Sequence, residues 1–223
     1  MNETASAVNE SRAPRRRVRW RWVVLAILVV VLVPVAIIAV PIITHQDQGV
    51  SHQVKPTESW PLTATAKGDD GRTRSFTVSS PDAGAPVDTS SLHVGDQLVV
   101  SGTGYDGSRG IYVAICKIPD DAKTKPGPCV GGVPDQEAQS VDAGTVQYAA
   151  SNWINDDWAW KLFGARSYDD IATGAFTAYI AVGEPKDDKL DCTVDACGIY
   201  TRNDHTALND RVQDLYVPVG FAK

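Results

Sequence analysis

The chain reads as an all-β ectodomain, an immunoglobulin-like antiparallel β-sandwich with two local disulfides, carried behind one N-terminal transmembrane helix. Three observations predict this. Residues 23–43, VVLAILVVVLVPVAIIAVPII, form an uncharged apolar run of 21 residues. From Trp60 onward, short runs rich in Val, Thr, Tyr, Phe and Ile alternate with Gly, Pro, Asp, Asn and Ser clusters. All four cysteines fall in that second part, at positions 116, 129, 192 and 197.

The apolar run comes first in the chain. A helix rises about 1.5 Å per residue, so this length matches the roughly 30 Å core of a bilayer. Residues 1–22 carry six arginines (Arg12, Arg15, Arg16, Arg17, Arg19, Arg21) against Glu3 and Glu10, a net +4. The whole chain is at −6, so the remainder carries −10. Arginine beside an apolar run marks the cytoplasmic side. The expected location is therefore the cell membrane, single-pass, with the N-terminus inside and the C-terminal domain outside. The run is longer than a signal-peptide core and lacks an Ala-x-Ala site after it, which favours an uncleaved anchor. Pro34 and Pro41 are tolerated in a membrane helix, with a kink expected near the first and an end near the second. Trp20 and Trp22 stand where an interfacial aromatic belt belongs. Residues 1–14 are small and polar and read as a disordered tail, part of a basic cytoplasmic segment 1–22. The acidic remainder repels a phosphate backbone and argues against nucleic acid as a partner.

Residues 44–59 read as a polar linker; His45 and His52 lie in it without further ligands at metal-binding spacing. Segment 60–80 reads as a β-hairpin extension turning at Gly68–Gly71, and 81–223 as the sandwich. The strand-like runs are PLTATAK, RSFTVSS, DQLVVSG, GIYVAICK, GTVQYAAS, GAFTAYIAVG and DLYVPVGF. Several alternate with period two. Ile111–Cys116 is nearly continuous, the pattern of a strand covered on both faces.

The four extracytoplasmic cysteines permit disulfides, and three connectivities are open. Two local bridges, Cys116–Cys129 and Cys192–Cys197, are the favoured pairing. Their spacings do not match the close thiolate pairs of a zinc site.

LDCTVDACGIY (190–200), followed by RNDHTALNDRVQDLYVPVGF (202–221), resembles the closing strands of the neocarzinostatin-like sandwich and of related actinobacterial cell-envelope domains, some carried on haem-uptake surface proteins. VVSGTGYDGSRGIYVAICKI and PGPCVGG (99–132) resemble the front half of those domains, and GAFTAYIAV (174–182) their central strand. The resemblance spans about residues 90–222. It implies seven strands and the same two local disulfides. The anchor, the 60–80 segment and a longer middle depart from the soluble members, so their carrier activity does not transfer.

That longer middle, 151–170, holds Trp153, Trp158, Trp160, Phe163, Arg166 and Tyr168. These residue types are the ones enriched at binding hot spots, which makes the segment a candidate interaction loop. The same rings could instead cover one end of the sandwich.

No nucleophile elbow, zinc-protease helix, P-loop or dinucleotide fingerprint is present. His205 follows Asp204, but neighbours on a strand point to opposite faces, so that pair makes no triad. The acidic residues Asp204, Asp210 and Asp214 lack the spacing of a calcium loop and have Arg202 and Arg211 as charge partners. No catalytic residue, cofactor or metal ligand is assigned. The expected role is a non-enzymatic accessory subunit of a larger respiratory or transport assembly. Its partners would be membrane lipid through residues 23–43 and protein subunits of that assembly, with any small-molecule ligand unknown. A haem-type binder is the alternative, with Tyr105, Tyr112 or His205 as axial candidates; an envelope hydrolase is a third.

Overall fold

A computed structural model describes residues 17–83, 85–131 and 146–222. The expected disordered tail and the first residues of the GTVQYAAS run lie outside them. The chain divides into two units, 1–43 and 44–223.

The first unit contains α1, Arg17–Ile43. The 21 residues from Trp20 to Val40 are long and apolar enough to cross a membrane, a property that spans share with signal sequences. The helix starts earlier than the apolar run because arginine and tryptophan propagate a helix as readily as they flank a membrane. It continues through Pro34 and Pro41 to Ile43 as one element.

The second unit is a two-layer β-sandwich. Its strands are β1 (Thr63–Lys67), β2 (Thr73–Ser79), β3 (Gln97–Thr103), β4 (Ile111–Lys117), β5 (Ser151–Ile154), β6 (Phe176–Ala181), β7 (Cys197–Asn203) and β8 (Leu215–Val219). One sheet has the order β1-β2-β3-β6 and the other β5-β4-β7-β8, and every pairing is antiparallel. The sandwich thus has eight strands, four in each sheet, where the resemblance implies seven; β1 and β2 both come from the 60–80 segment, which lies before the residues that the resemblance spans.

The 60–80 hairpin is therefore part of the sandwich: β2 pairs along β3 from Ser75↔Thr103 to Ser79↔Val99. Period-two patterning explains how. Ala64, Ala66, Phe76 and Val78 point inward, while their neighbours face solvent. The inward residues of the first sheet, such as Phe76, Val100, Phe176 and Ile180, meet Ile111, Val113, Ile115, Ile199, Leu215 and Val217 of the second. Removing these side chains from water is the main stabilising contribution, at about 25 cal/mol per Å² of apolar surface.

Both expected disulfides are present, Cys116–Cys129 and Cys192–Cys197. The first has a clear structural place. β5 covers only the first half of β4, from Ile111 to Ala114. Residues 127–130 run beside the second half, with Lys117 N–H donating to Pro128 O (3.0 Å) and Val130 N–H to Ile115 O (3.0 Å). The bridge ties this added edge to β4.

Two expectations change. The GTVQYAAS strand is displaced: its described residues 146–150 contribute one bridge, Ala149↔Ile180, and the strand itself is Ser151–Ile154. All four β5 residues are buried, so no alternation marked it. The 44–59 linker is also not free along its first half. Gly49 O accepts from Arg211 N–H (3.0 Å), Val50 exchanges bonds with Asp69, and His45 Nε2 lies 3.0 Å from Asp210 Oδ2. Its polar composition serves hydrogen bonding to the sandwich rather than solvation.

Candidate functional site

The outer face of the β5-β4-β7-β8 sheet concentrates the chemistry of the chain. Directly opposed residues on paired strands share a face. Trp153, Tyr112 and Arg202 form one such row, and Ala114, Tyr200 and Tyr216 another. These side chains point away from the sandwich interior.

At one end of this face the aromatic segment divides into two layers. Trp153 is buried because its Nε1–H donates to Asp204 Oδ2 (2.9 Å). The same oxygen accepts from Asn155 Nδ2 (2.9 Å), while Oδ1 accepts from the backbone and hydroxyl of Thr206. Asp204 is fully buried, and both its oxygens are satisfied. Gly110 makes room for it: a Cβ there would collide with Asp204 Oδ2 and Asn155 Nδ2. The Asp204 carboxylate therefore orders β5 and the following turn, and its hydrogen bonds go to residues other than His205. His205 instead sits 3.0 Å from the Tyr112 hydroxyl through Nδ1, with its ring edge-on to Trp160 at 4.6 Å. Burial pushes the Tyr112 hydroxyl up to about 12.

Tyr168 is likewise buried, its hydroxyl donating to Arg109 O (2.8 Å). Arg166 lies over the Tyr179 ring at 4.8 Å, a cation–π contact. Trp160 is half-buried between Trp153 and His205.

The outer layer is different. Asp157 caps the short helix α2, Trp158–Lys161, by accepting from Ala159 N–H (2.9 Å). Lys161 pairs with Asp156 at 2.6 Å. Held this way, α2 and its turn present Trp158 at 59%, Leu162 at 75% and Phe163 at 52% exposure. Of the six residues singled out from the sequence, Trp153 and Tyr168 thus belong to the packed layer, and Trp158 and Phe163 face outward. Leu162 joins the outer patch and was missed, because one leucine among aromatics carries no distinguishing signal.

At the other end of the face lies a pocket of about 290 Å³. Its walls are the strap 51–55 and the loop 118–126; its floor is Tyr200, Tyr216 and Asp214. The two tyrosine rings stack at 5.0 Å and 25°. Asp214 Oδ2 accepts from Arg211 Nη1 (2.9 Å), whereas Oδ1 is buried with no partner. Burial pushes the Asp214 carboxyl up to about 7, against the opposing pull of Arg211 and Arg202. Arg202 donates from Nη1 to Pro126 O (3.0 Å), which holds the loop over the sheet, and its Nε is buried without a partner. Burial, then the charges of Arg202 and Arg211, lower Lys125. None of the axial candidates Tyr105, Tyr112 and His205 lines this pocket. Tyr105 is instead committed to Thr201 in the core (2.9 Å). Among the described residues, no group of three or more His, Cys, Asp or Glu side chains converges to hold a metal.

The chain matches no protein-family model, no curated protein and no solved structure.

Proposed function

We propose that this protein is a single-pass, membrane-anchored, outward-facing interaction module, an accessory subunit of a larger respiratory or transport assembly in the cell envelope. The observation that carries this reading is the outward layer of the aromatic segment. Trp158, Leu162 and Phe163 are more than half exposed on a short helix and the turn after it, which are capped, ion-paired and backed by a packed layer. Solvent-facing aromatic side chains on a rigid support match the composition of binding hot spots. The apolar helix supplies the anchor, and the arginines before it the orientation. The same two local disulfides and the two-sheet antiparallel sandwich support kinship with neocarzinostatin-like envelope domains. That is likeness of fold, from which function does not follow.

The test is purification of the tagged full chain from native membranes in mild detergent. Stoichiometric partner subunits should accompany it. They should be lost in a W158S/F163S variant that keeps its disulfides and thermal transition. A wild-type chain that purifies alone overturns the reading.

A further inference from the structure

We infer that the outer edge of β1 is a self-association surface, on which a second copy of this chain pairs its own β1 antiparallel about Thr65. The inference is independent of the role of the aromatic segment. It starts from the sheet edges. The two open sheets end in β1 and β6, and in β5 and β8. An unpaired edge presents a row of backbone donors and acceptors to any other strand, so folded chains cover it.

The other three edges are covered. On β8, Gln53 holds both backbone groups of Tyr216, Pro218 has no N–H, and Gly220 N–H just beyond donates to Thr89 O (2.8 Å). On β6, the Asn152 side chain treats Tyr179 in the same way: Nδ2 donates to Tyr179 O (2.8 Å) and Oδ1 accepts from Tyr179 N–H (3.1 Å). Ala181 N–H donates to Ala149 O (3.0 Å). On β5, Arg166 N–H donates to Trp153 O (2.8 Å), and Arg166 O accepts from Asn155 N–H (2.8 Å).

β1 has no such cover. Val78 N–H donates to Leu62 O and Gly68 N–H to Arg72 O, so the even-numbered residues between them, Ala64 and Ala66, bond to β2. The alternate residues Thr63, Thr65 and Lys67 therefore turn their N–H and C=O outward. Among the described residues, no group reaches those outward backbone atoms. The Thr63 and Thr65 hydroxyls bond to Thr77 and Ser75 on the solvent face, and the inward side chains are only alanine, so nothing bulky stands in the way.

The register identifies the occupant. With Thr65 opposite the partner's Thr65, Thr63 lies opposite the partner's Lys67, and all three outward residues fall at hydrogen-bonded positions, giving about six bonds. No like charges are opposed. The same register sets Pro61 opposite the partner's Asp69. Pro61 has no N–H to give, and Asp69 N–H is already donated to Val50 O (3.1 Å), so the pairing stops at both ends where the free donors stop. A two-fold axis produces this antiparallel, self-complementary contact. Five residues a side make a small interface, so the pairing is weak and reversible.

The test captures it covalently. Both native cysteine pairs are bridged, so one introduced thiol is unique. Full chain carrying T65C or T63C, in a non-ionic detergent, is treated with bis-maleimidoethane. The two copies of residue 65 lie about 5.5 Å apart between Cα atoms, those of residue 63 about 14 Å apart. T65C should thus give a crosslinked species of twice the chain mass, at least about tenfold more than T63C. In the T65C background, T63K meets the partner's Lys67 and should lower the yield at least about threefold, whereas T63E should raise it. Thermal unfolding confirms that each variant keeps its fold. Yields from T65C no higher than from T63C overturn the inference. So do equal effects of T63K and T63E, or a T65C adduct only with a different protein, which makes that protein the occupant of the edge.

Discussion

The side-chain amide of Gln53 completes the backbone hydrogen bonding of Tyr216. Gln53 Nε2 donates to Tyr216 O (2.7 Å), and Gln53 Oε1 accepts from Tyr216 N–H (2.7 Å). Tyr216 sits in β8, at the open edge of its sheet, and an unpaired edge is a template for pairing with another chain. One amide therefore satisfies two groups that would otherwise seek a ninth strand. It also docks the strap to the sandwich and forms part of the pocket wall.

Replacing Gln53 by alanine should lower stability by about 1–2 kcal/mol, since water recovers part of the two lost bonds. Gln53→Glu keeps the acceptor but loses the donor, and should fall between alanine and wild type. Urea midpoints at constant slope measure both. Hydrogen exchange at the Tyr216 amide should speed up in the alanine variant before the rest of β8 does.

The reach of Asp204 is a second point of leverage. It holds Trp153, Asn155 and Thr206 through one buried carboxylate. Asp204→Ala leaves those donors unsatisfied in the interior and should cost about 3 kcal/mol or more. Asp204→Asn retains an acceptor towards Trp153 and should cost about half as much. If both variants unfold at the wild-type urea midpoint, the carboxylate does not order β5.

Much of the fold was legible because alternation writes one face of a strand into the sequence. Phe76 and Val78, Leu98 and Val100, and Leu215 and Val217 all point inward as period two requires. β5 escaped because Ser151, Asn152, Trp153 and Ile154 are all buried and two of them are polar. The strap escaped for a related reason: its hydrogen bonds run to Asp69, Arg211 and Tyr216, up to 163 residues away, and no local pattern encodes such partners. The aromatic segment was visible as composition only. Whether a tryptophan is core or surface was decided by Asp204 for Trp153, and by the direction of a four-residue helix for Trp158. The pairing of Arg211 with Asp214 is local; the unpartnered second oxygen of Asp214 depends on the strap and loop that close over it.

The disulfides should differ in what they protect. By loop-closure entropy, bridges across separations of 13 and 5 residues contribute about 3 and about 2 kcal/mol. C116S/C129S also frees the edge formed by residues 127–130, so amide protection at Lys117 and Val130 should fall with it. C192S/C197S should lower the melting temperature less and leave that edge protected. Equal loss of protection along β4 in both variants would show that the first bridge has no such local role.

Asp214 sets a pH dependence whose sign is opposite to that of a salt-bridged surface carboxylate. Its carboxyl titrates at about 7 in the folded chain, against an ordinary value of 3.8. The folded state therefore holds this proton where the unfolded state has released it. Stability from this group is full below about pH 4, falls as pH rises towards 7, and is flat above that. A shift of this size corresponds to about 4 kcal/mol before relaxation of the surroundings. Burial disfavours the anion most strongly and Asp210 opposes it too, while Arg211 and Arg202 favour it. D214N removes the titration. Other carboxylates, such as Asp191 held down to about 2 by Lys186 and Thr193, are common to both chains and cancel in the comparison. The difference in unfolding free energy, variant minus wild type, should thus rise between pH 4 and pH 7 and then level off. A difference that stays constant across that range would place the Asp214 carboxyl at an ordinary value, as for a carboxylate whose charge is solvated or fully partnered in the folded chain.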